Sequence, residues 1–590
     1  MTSTLERAPS EQQQPRRKRA LSPFGVGAAV IALLVTALIA YPLGAIAVRL
    51  LGAFRAESLA TVFLSSWFPG MMRDTLFYVG TSAVIAVAVA AVLAWINERT
   101  DARFRGSGLL PLVPLFMPSI AVAIGWVVLA APDIGFLNGI LTNVFSSLGI
   151  TPELDVFTPA GLIFVMVLCL VPYAYLPISA GFRNLDSSLE EAARLSGSGT
   201  WRTLRTVSLP SIAPALLAGF VLVIIVGFSF YSVPVVIGAR FDVEILAVRI
   251  IESIRAQYPP AYDVSVILSA ILLVGLVAVW LFQQRVTRGG RFAFTGGRSS
   301  NSSPTKLGGS RWVFRALLIV YGTLATVLPL IALLIVSFQT YWQSNPFSGP
   351  WTLANYQTVL FTYPINLRAI QNSLLLGVIG GAATVLLAAL LVLYSRNRSN
   401  RLARVVDSVS KLPAAVPNAV IAVGFIFAFG GPPFNLGGTL LILALAYFVT
   451  YLPYVAIAVE PSILQVHPSL EEASVMSGAG QGRTFRRVVL PIALPGLFAA
   501  WALVFVRFVG DLEVSVLLGT GTTPVIGFVL LDIYDGGNAG HVATLALIMT
   551  IISAVVISIM LWLGRPRWKR ASNARRRSLT HPKSDRKEVS

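Results

Sequence analysis

The 590-residue chain has one cysteine, Cys169, and three histidines, His467, His541 and His581. A single cysteine excludes an intramolecular disulfide, and three scattered histidines are too few for a histidine-built metal centre. Charge is scarce: 12% of residues are Asp, Glu, Lys or Arg, against 55% that are apolar. That balance belongs to polytopic membrane proteins rather than soluble domains. No Gly-Lys pair occurs, so there is no phosphate loop of the form G-x-x-x-x-G-K-[ST]. H-E-x-x-H, the G-x-S-x-G elbow and clustered carboxylate–histidine groups are also missing. The chain is therefore expected to have no catalytic residue, no metal site and no bound cofactor, and not to be an enzyme on its own.

Long apolar runs dominate what is there. They lie at about Phe24–Val48, Thr75–Trp95, Leu109–Ala131, Gly161–Ala180, Ala215–Ile237 and Val264–Phe282. After a gap they resume at about Ala316–Phe338, Ser373–Tyr394, Leu412–Phe429, Thr439–Val459, Leu494–Leu518 and Val542–Leu563. Bilayer hydrocarbon offers no partner to a free backbone group, so each run is expected to be a helix. The first run is too long for the apolar part of a cleaved signal and reads as an uncleaved span. The expected fold is an all-α polytopic membrane protein of twelve transmembrane helices, six on each side of the gap.

The basic residues set the expected orientation. With the N-terminus inside, 37 of the 45 Lys and Arg fall in cytoplasmic segments, 7 in external loops, and Arg507 in a span. This bias predicts a multi-pass membrane protein with both termini in the cytoplasm. The net charge of +19 is then explained by orientation and attraction to anionic lipid, and nucleic acid is not expected as a partner.

One polar stretch is written twice. Leu189 to Pro214, LEEAARLSGSGTWRTLRTVSLPSIAP, is repeated 281 positions later as Leu470 to Pro495, LEEASVMSGAGQGRTFRRVVLPIALP, with 14 of 26 positions identical. Each copy predicts a helix, a glycine turn and a second helix. Asp186 or Ser187 is expected to cap the first copy, and Ser469 the second. Gly197 and Gly478 supply the turn, and Pro210 and Pro491 mark the entry to the next apolar run. An ordinary solvated helical hairpin between spans is the bland alternative.

These residues resemble the EAA loop of ABC-importer permeases: EAA, three residues, Gly, nine residues, Ile-x-Leu-Pro. The first copy reads Glu191, Ala192, Ala193, Gly197, Val207, Leu209 and Pro210, preceded by Glu190. The second reads Glu472, Ala473, Ser474, Gly478, Val488, Leu490 and Pro491, preceded by Glu471. Both copies carry Val for Ile, and the second carries Ser474 for Ala. The resemblance implies a type I permease fold made of two fused subunits. It also implies two copies of a separate ATPase docked on the two loops, which consume the ATP, and an extracellular or periplasmic substrate-binding protein. It assigns Glu191 and Glu472 to fixing the loop or touching the ATPase. A chain carrying both halves is similar to bacterial ferric-iron importers, which makes ferric iron the expected substrate. Thiamine, phosphonate and polyamine are alternatives in the same class, and an ion-coupled secondary transporter is the alternative outside it.

The expected organisation is a basic N-tail (1–23), a first half (24–283, loop 185–214), a Gly/Ser/Arg linker (284–311), a second half (312–563, loop 466–495) and a basic C-tail (564–590). The permease repeats cover about 70–282 and 368–563. They also align Pro118 with Pro417 and Gly125 with Gly424. Arg507, Asp511 and Glu513 lie in or beside a span, and their first-half counterparts are Val226, Phe230 and Ser232. Two readings stand: a polar patch on the translocation path, or an Arg507–Asp511 ion pair at i,i+4 near the outer interface. Cys169 is expected to pack. Asp242, Glu244, Arg249, Glu252 and Arg255 are expected to form a solvated external face.

Overall fold

The computed structural model describes residues 23–53, 55–149, 152–287, 304–395 and 401–564. The expected N-tail before residue 23, the middle of the linker (288–303) and the C-tail after residue 564 lie outside the described residues. Nine helices in the described residues are long and apolar enough to cross a bilayer, and three bent pairs bring the number to twelve. Large apolar side chains such as Leu76, Val274 and Ile379 point outward from the bundle, as lipid-facing positions should.

The expectation of twelve uninterrupted helices is corrected at four of them. Leu109–Ala131 is a 3-10 stretch, Ser107–Phe116, joined at 97° to the helix Ser119–Ala130. The counterpart pair, 402–415 and Asn418–Phe429, meets at 111°. Pro118 and Pro417 cause both bends. A proline drives the preceding residue out of the α region, and Met117 and Val416 are both extended. The fifth and eleventh runs stop at Phe228 and Val509 and restart as the short helices Ser232–Ile237 and Glu513–Leu518.

The halves repeat small details as well as helices. Thr158 caps Pro159–Asn184 by accepting from Gly161 N at 3.1 Å, and Thr439 caps Leu440–Leu464 by accepting from Ile442 N at 3.4 Å. At the end of the bundle away from the repeated loops, each half carries a short helix, Leu246–Arg255 and Ile526–Asp535. The first N–H of each is satisfied from another helix: Leu246 N donates to Thr75 Oγ1 and Ile526 N to Ser373 Oγ, both at 2.9 Å. A helix start buried without such partners would leave costly orphan donors.

The first helix of each half packs on the other half. A Cβ on Gly125 would lie 2.6 Å from Pro329 Cβ, and one on Gly424 would lie 2.9 Å from Pro42 O and Ile46 Cδ1. Glycine lets the two backbones approach, as small residues do between membrane helices. Trp126 Nε1 donates across the same contact to Leu324 O at 3.2 Å.

The ends of the linker are built into the structure. The helix Tyr262–Thr287 carries its start, and Gly308 and Arg311 at its far end are helical. Thr305 N donates to Arg99 O at 2.9 Å and Thr305 O accepts from Asp101 N at 3.1 Å. Leu307 N donates to Asp101 Oδ1 at 3.0 Å.

Of the five external charges expected on a solvated face, Asp242 is exposed and Glu244 partly so, while Arg249, Glu252 and Arg255 are drawn into partnerships. Arg255 pairs with Asp535 of the other half at 2.6 Å, Glu252 accepts from Tyr231 Oη at 3.0 Å, and Arg249 lies over the Trp67 ring at 4.4 Å. Of these three, the Arg255–Asp535 pair joins the two halves, and the other two lie within the first half.

Candidate functional site

The repeated loops fold alike. Asp186 caps the helix Ser187–Leu195 by accepting from Ser188 N at 2.9 Å. Hydrogen bonds from Ser188 hold its carboxyl below the ordinary Asp range. In the second copy the helix is Pro468–Met476, and the cap is His467, not Ser469. His467 Nδ1 accepts from Ser469 N at 3.3 Å and lies 2.8 Å from Ser469 Oγ. The proline at the first helical position pushes the cap one residue upstream of it.

Both helices end in a left-handed glycine, Gly197 at φ +82° and Gly478 at φ +81°. The N–H groups of Ser198 and Ala479 close back on Ala193 O and Ser474 O. A π-helical turn follows in each, at Leu204–Ser208 and Phe485–Val489, and leads to Leu209–Pro210 and Leu490–Pro491.

Adjacent glutamates in the first loop do different things. Glu190 is 5% exposed. Its Oε2 accepts from Arg99 Nη2 at 2.7 Å and Nε at 3.1 Å, and its Oε1 accepts from Ser208 Oγ at 2.6 Å. One carboxylate thus ties together the end of Trp67–Arg99, the loop helix and the π turn. Arg194 extends the cluster, 3.9 Å from Glu190 and hydrogen-bonded to Thr305. Glu191, Ala192 and Glu472 face outward, with Ala473 beside them, while Ala193, Glu471 and Ser474 are half-buried. Ser474 Oγ lies 2.9 Å from Thr484 Oγ1, so the serine in the second copy gains a partner across the turn. Leu195, 90% exposed, and Met476, 87% exposed, occupy matching positions beside the glycines.

The second constellation lies at the seam between the halves. Two adjoining cavities, of about 60 and 100 Å³, share Ser119, Tyr173, Phe230, Tyr451, Arg507 and Gly510, and the larger is also lined by Tyr454, Asn418, Asp511 and Glu513. The expected Arg507–Asp511 ion pair is not formed. The helix ends at Val509, so Asp511 falls past its last turn. Instead Asp511 Oδ2 accepts from Tyr451 Oη at 2.6 Å, and Oδ1 accepts from Val514 N at 2.9 Å and Ser515 N at 3.0 Å. Asp511 thereby caps Glu513–Leu518, which explains why the helix restarts there. Arg507 donates to Tyr173 Oη, with its guanidinium 5.4 Å from that ring. Cys169 is buried and lines the smaller cavity.

Tyr173, Tyr451, Tyr454, Ser119 and Asn418 escaped the sequence reading. A signal for four of them was present. Tyr173 and Tyr454 follow prolines at the 281 offset of the loops, and Asn418 follows Pro417 as Ser119 follows Pro118.

Two six-span halves with a matched loop each, closed around a polar cavity, define a two-in-one membrane permease. Residues 108–288 and 380–566 both match the family described as binding-protein-dependent transport system inner membrane component. The chain belongs to that family: it is a multi-pass, fused permease of an ABC importer in the inner membrane, and such permeases work with an ATPase and a substrate-binding protein. The family excludes the ion-coupled alternative. The chain is 25% identical over 502 residues to a probable ABC transporter permease protein, y4fN, of Sinorhizobium fredii, covering 82% of this chain and 84% of that one. It is 22% identical over 557 residues to the ferric transport system permease protein FbpB of Actinobacillus pleuropneumoniae, covering 92% of this chain and 78% of that one. A putative 2-aminoethylphosphonate permease, PhnV, of Salmonella choleraesuis is 26% identical over 245 residues, covering 40% of this chain and 90% of that one.

Proposed function

We propose that the chain imports ferric iron, driven by two copies of a separate ATPase bound to its two loops. The observation that carries the substrate is the match along 92% of the chain to a permease named for ferric transport, whereas the phosphonate relative spans 40%. The charge bias of the sequence supports a cytoplasmic position for the loops and both termini. Glu191 and Glu472, with Leu195 and Met476, contact the ATPase, while Glu190 fixes the first loop from within. Gly197 and Gly478 hold the turn. Closure of the ATPase pair draws the loops together and rocks the halves about the seam, so that Arg507, Asp511 and Glu513 line the path. ATP is consumed by the partner, and this chain holds no nucleotide or other cofactor. A binding protein delivers the ion at the outer end.

The test is ATP hydrolysis by the full complex in liposomes, with ferric ion, thiamine, spermidine or 2-aminoethylphosphonate offered through the binding protein. Stimulation by ferric ion alone is expected, and its loss in the assembled Glu191→Ala/Glu472→Ala double variant. Stimulation by another ligand instead would overturn iron. Stimulation that survives the double variant would remove those glutamates from coupling.

A further inference from the structure

We infer that the larger cavity at the seam is a transit site for a small hard cation, with Glu513 Oε2 as its principal ligand atom. The inference rests on the importer reading above and deepens it by naming the chemical class that the path accepts.

Glu513 is 8% exposed and lines the cavity, and its Oε2 has no hydrogen-bond partner among the described residues. The Asn418 side chain and the Tyr231 main chain hydrogen-bond to its carboxyl, and Oε2 is the oxygen left over. Asp511, two residues earlier, is fully engaged by Tyr451 and by two main-chain N–H groups. One carboxylate is therefore part of the scaffold and the other is left open. A buried carboxylate oxygen without a partner is costly, and such groups inside membranes mark ion paths.

The charge balance selects the sign of the ligand. Two carboxylates face one guanidinium, and Arg507 is committed to Tyr173 rather than to either acid. A cation entering the cavity meets two carboxyl groups and one guanidinium that is already occupied, so the lining suits a cation better than a free anion. The donors are hard oxygens, the Glu513 carboxyl together with the phenols of Tyr173 and Tyr454, which suit a hard metal ion over a soft one. At about 100 Å³ the space holds an ion with a few waters, each taking roughly 30 Å³. No group of three or more His, Cys, Asp or Glu placed to hold a metal ion occurs among the described residues, so the site lacks the ligand set for tight retention. A path needs that weakness, because an ion must also leave. The first half contributes Ser232 where the second contributes Glu513, so the cavity holds a single such oxygen rather than a symmetric pair.

Terbium(III) titrated into the full chain in zwitterionic nanodiscs tests this, read by emission sensitised by the cavity tyrosines. Saturable emission is expected, with the apparent affinity reduced about tenfold or more in Glu513→Gln and reduced less in Glu513→Asp, which keeps the charge but withdraws it. Glu513→Gln keeps the size of the side chain and removes the acid, so its thermal midpoint is expected to hold. Equal terbium affinity in wild type and both variants overturns the inference. The iron reading fails separately. Glu513-dependent terbium binding without ferric-stimulated ATP hydrolysis keeps the cation site and removes iron. Ferric stimulation with terbium binding indifferent to Glu513 keeps iron and removes the site.

Discussion

The two halves share a scaffold and differ in the chemistry that they bring to the seam. The scaffold features come in pairs: the proline bends, the Thr158 and Thr439 caps, the donors Leu246 and Ile526, and the crossing glycines Gly125 and Gly424. At the cavity the pairing fails. Val226, Phe230 and Ser232 stand against Arg507, Asp511 and Glu513. Once fused, two halves need no longer be interchangeable. One can carry the acids while the other supplies wall, so that a single open carboxyl faces the cavity instead of two repelling ones.

The loops carry a second asymmetry, and it gives the largest expected effect. Glu190→Ala leaves Arg99 buried and unpaired and should cost about 3–5 kcal/mol of stability. Glu191→Ala, one residue on and exposed, should stay within about 0.5 kcal/mol. Denaturation of the purified chain in detergent compares them, and similar losses would erase the distinction between the inner and outer glutamate. Next come the crossings. Gly125→Ala and Gly424→Ala overpack the contact and should each cost about 1–3 kcal/mol. The loss should be larger at Gly125, where the new Cβ meets Pro329 backbone at 2.7 Å, than at Gly424, where one close atom is the flexible end of Ile46. Equal losses would mean that the two crossings relax alike. The smallest effect belongs to the caps. Thr158→Val and Thr439→Val should each cost about 1 kcal/mol, and less at Thr439, whose bond is the longer at 3.4 Å against 3.1 Å. A reversed order would show that cap length does not rank the halves.

Hydropathy made the spans legible because lipid leaves a helix as the backbone's only local solution. The loops were legible because a polar repeat stands out between apolar runs. The bends at Pro118 and Pro417 were readable in principle, since both prolines fall inside expected helices, but hydropathy is blind to direction. Which glutamate turns inward was not readable. Neighbours on a helix face different ways, and the deciding partner, Arg99, lies 91 residues before Glu190. The same holds for Asp511, whose neighbour in sequence, Arg507, suggested the wrong partner. The right one, Tyr451, is 60 residues away.

The crossed first helices have a consequence for how the chain is made. The groove over Gly125 is filled by Pro329, which the ribosome supplies some two hundred residues later. Until then the N-terminal half sits in the membrane with an open seam, and its own first helix waits for Gly424. Neither half is a finished folding unit, so maturation is reciprocal, each half acting as the other's last structural element. Cutting between residues 287 and 304 after assembly should therefore leave two fragments that stay together, whereas halves synthesised apart must first find each other in the plane of the membrane.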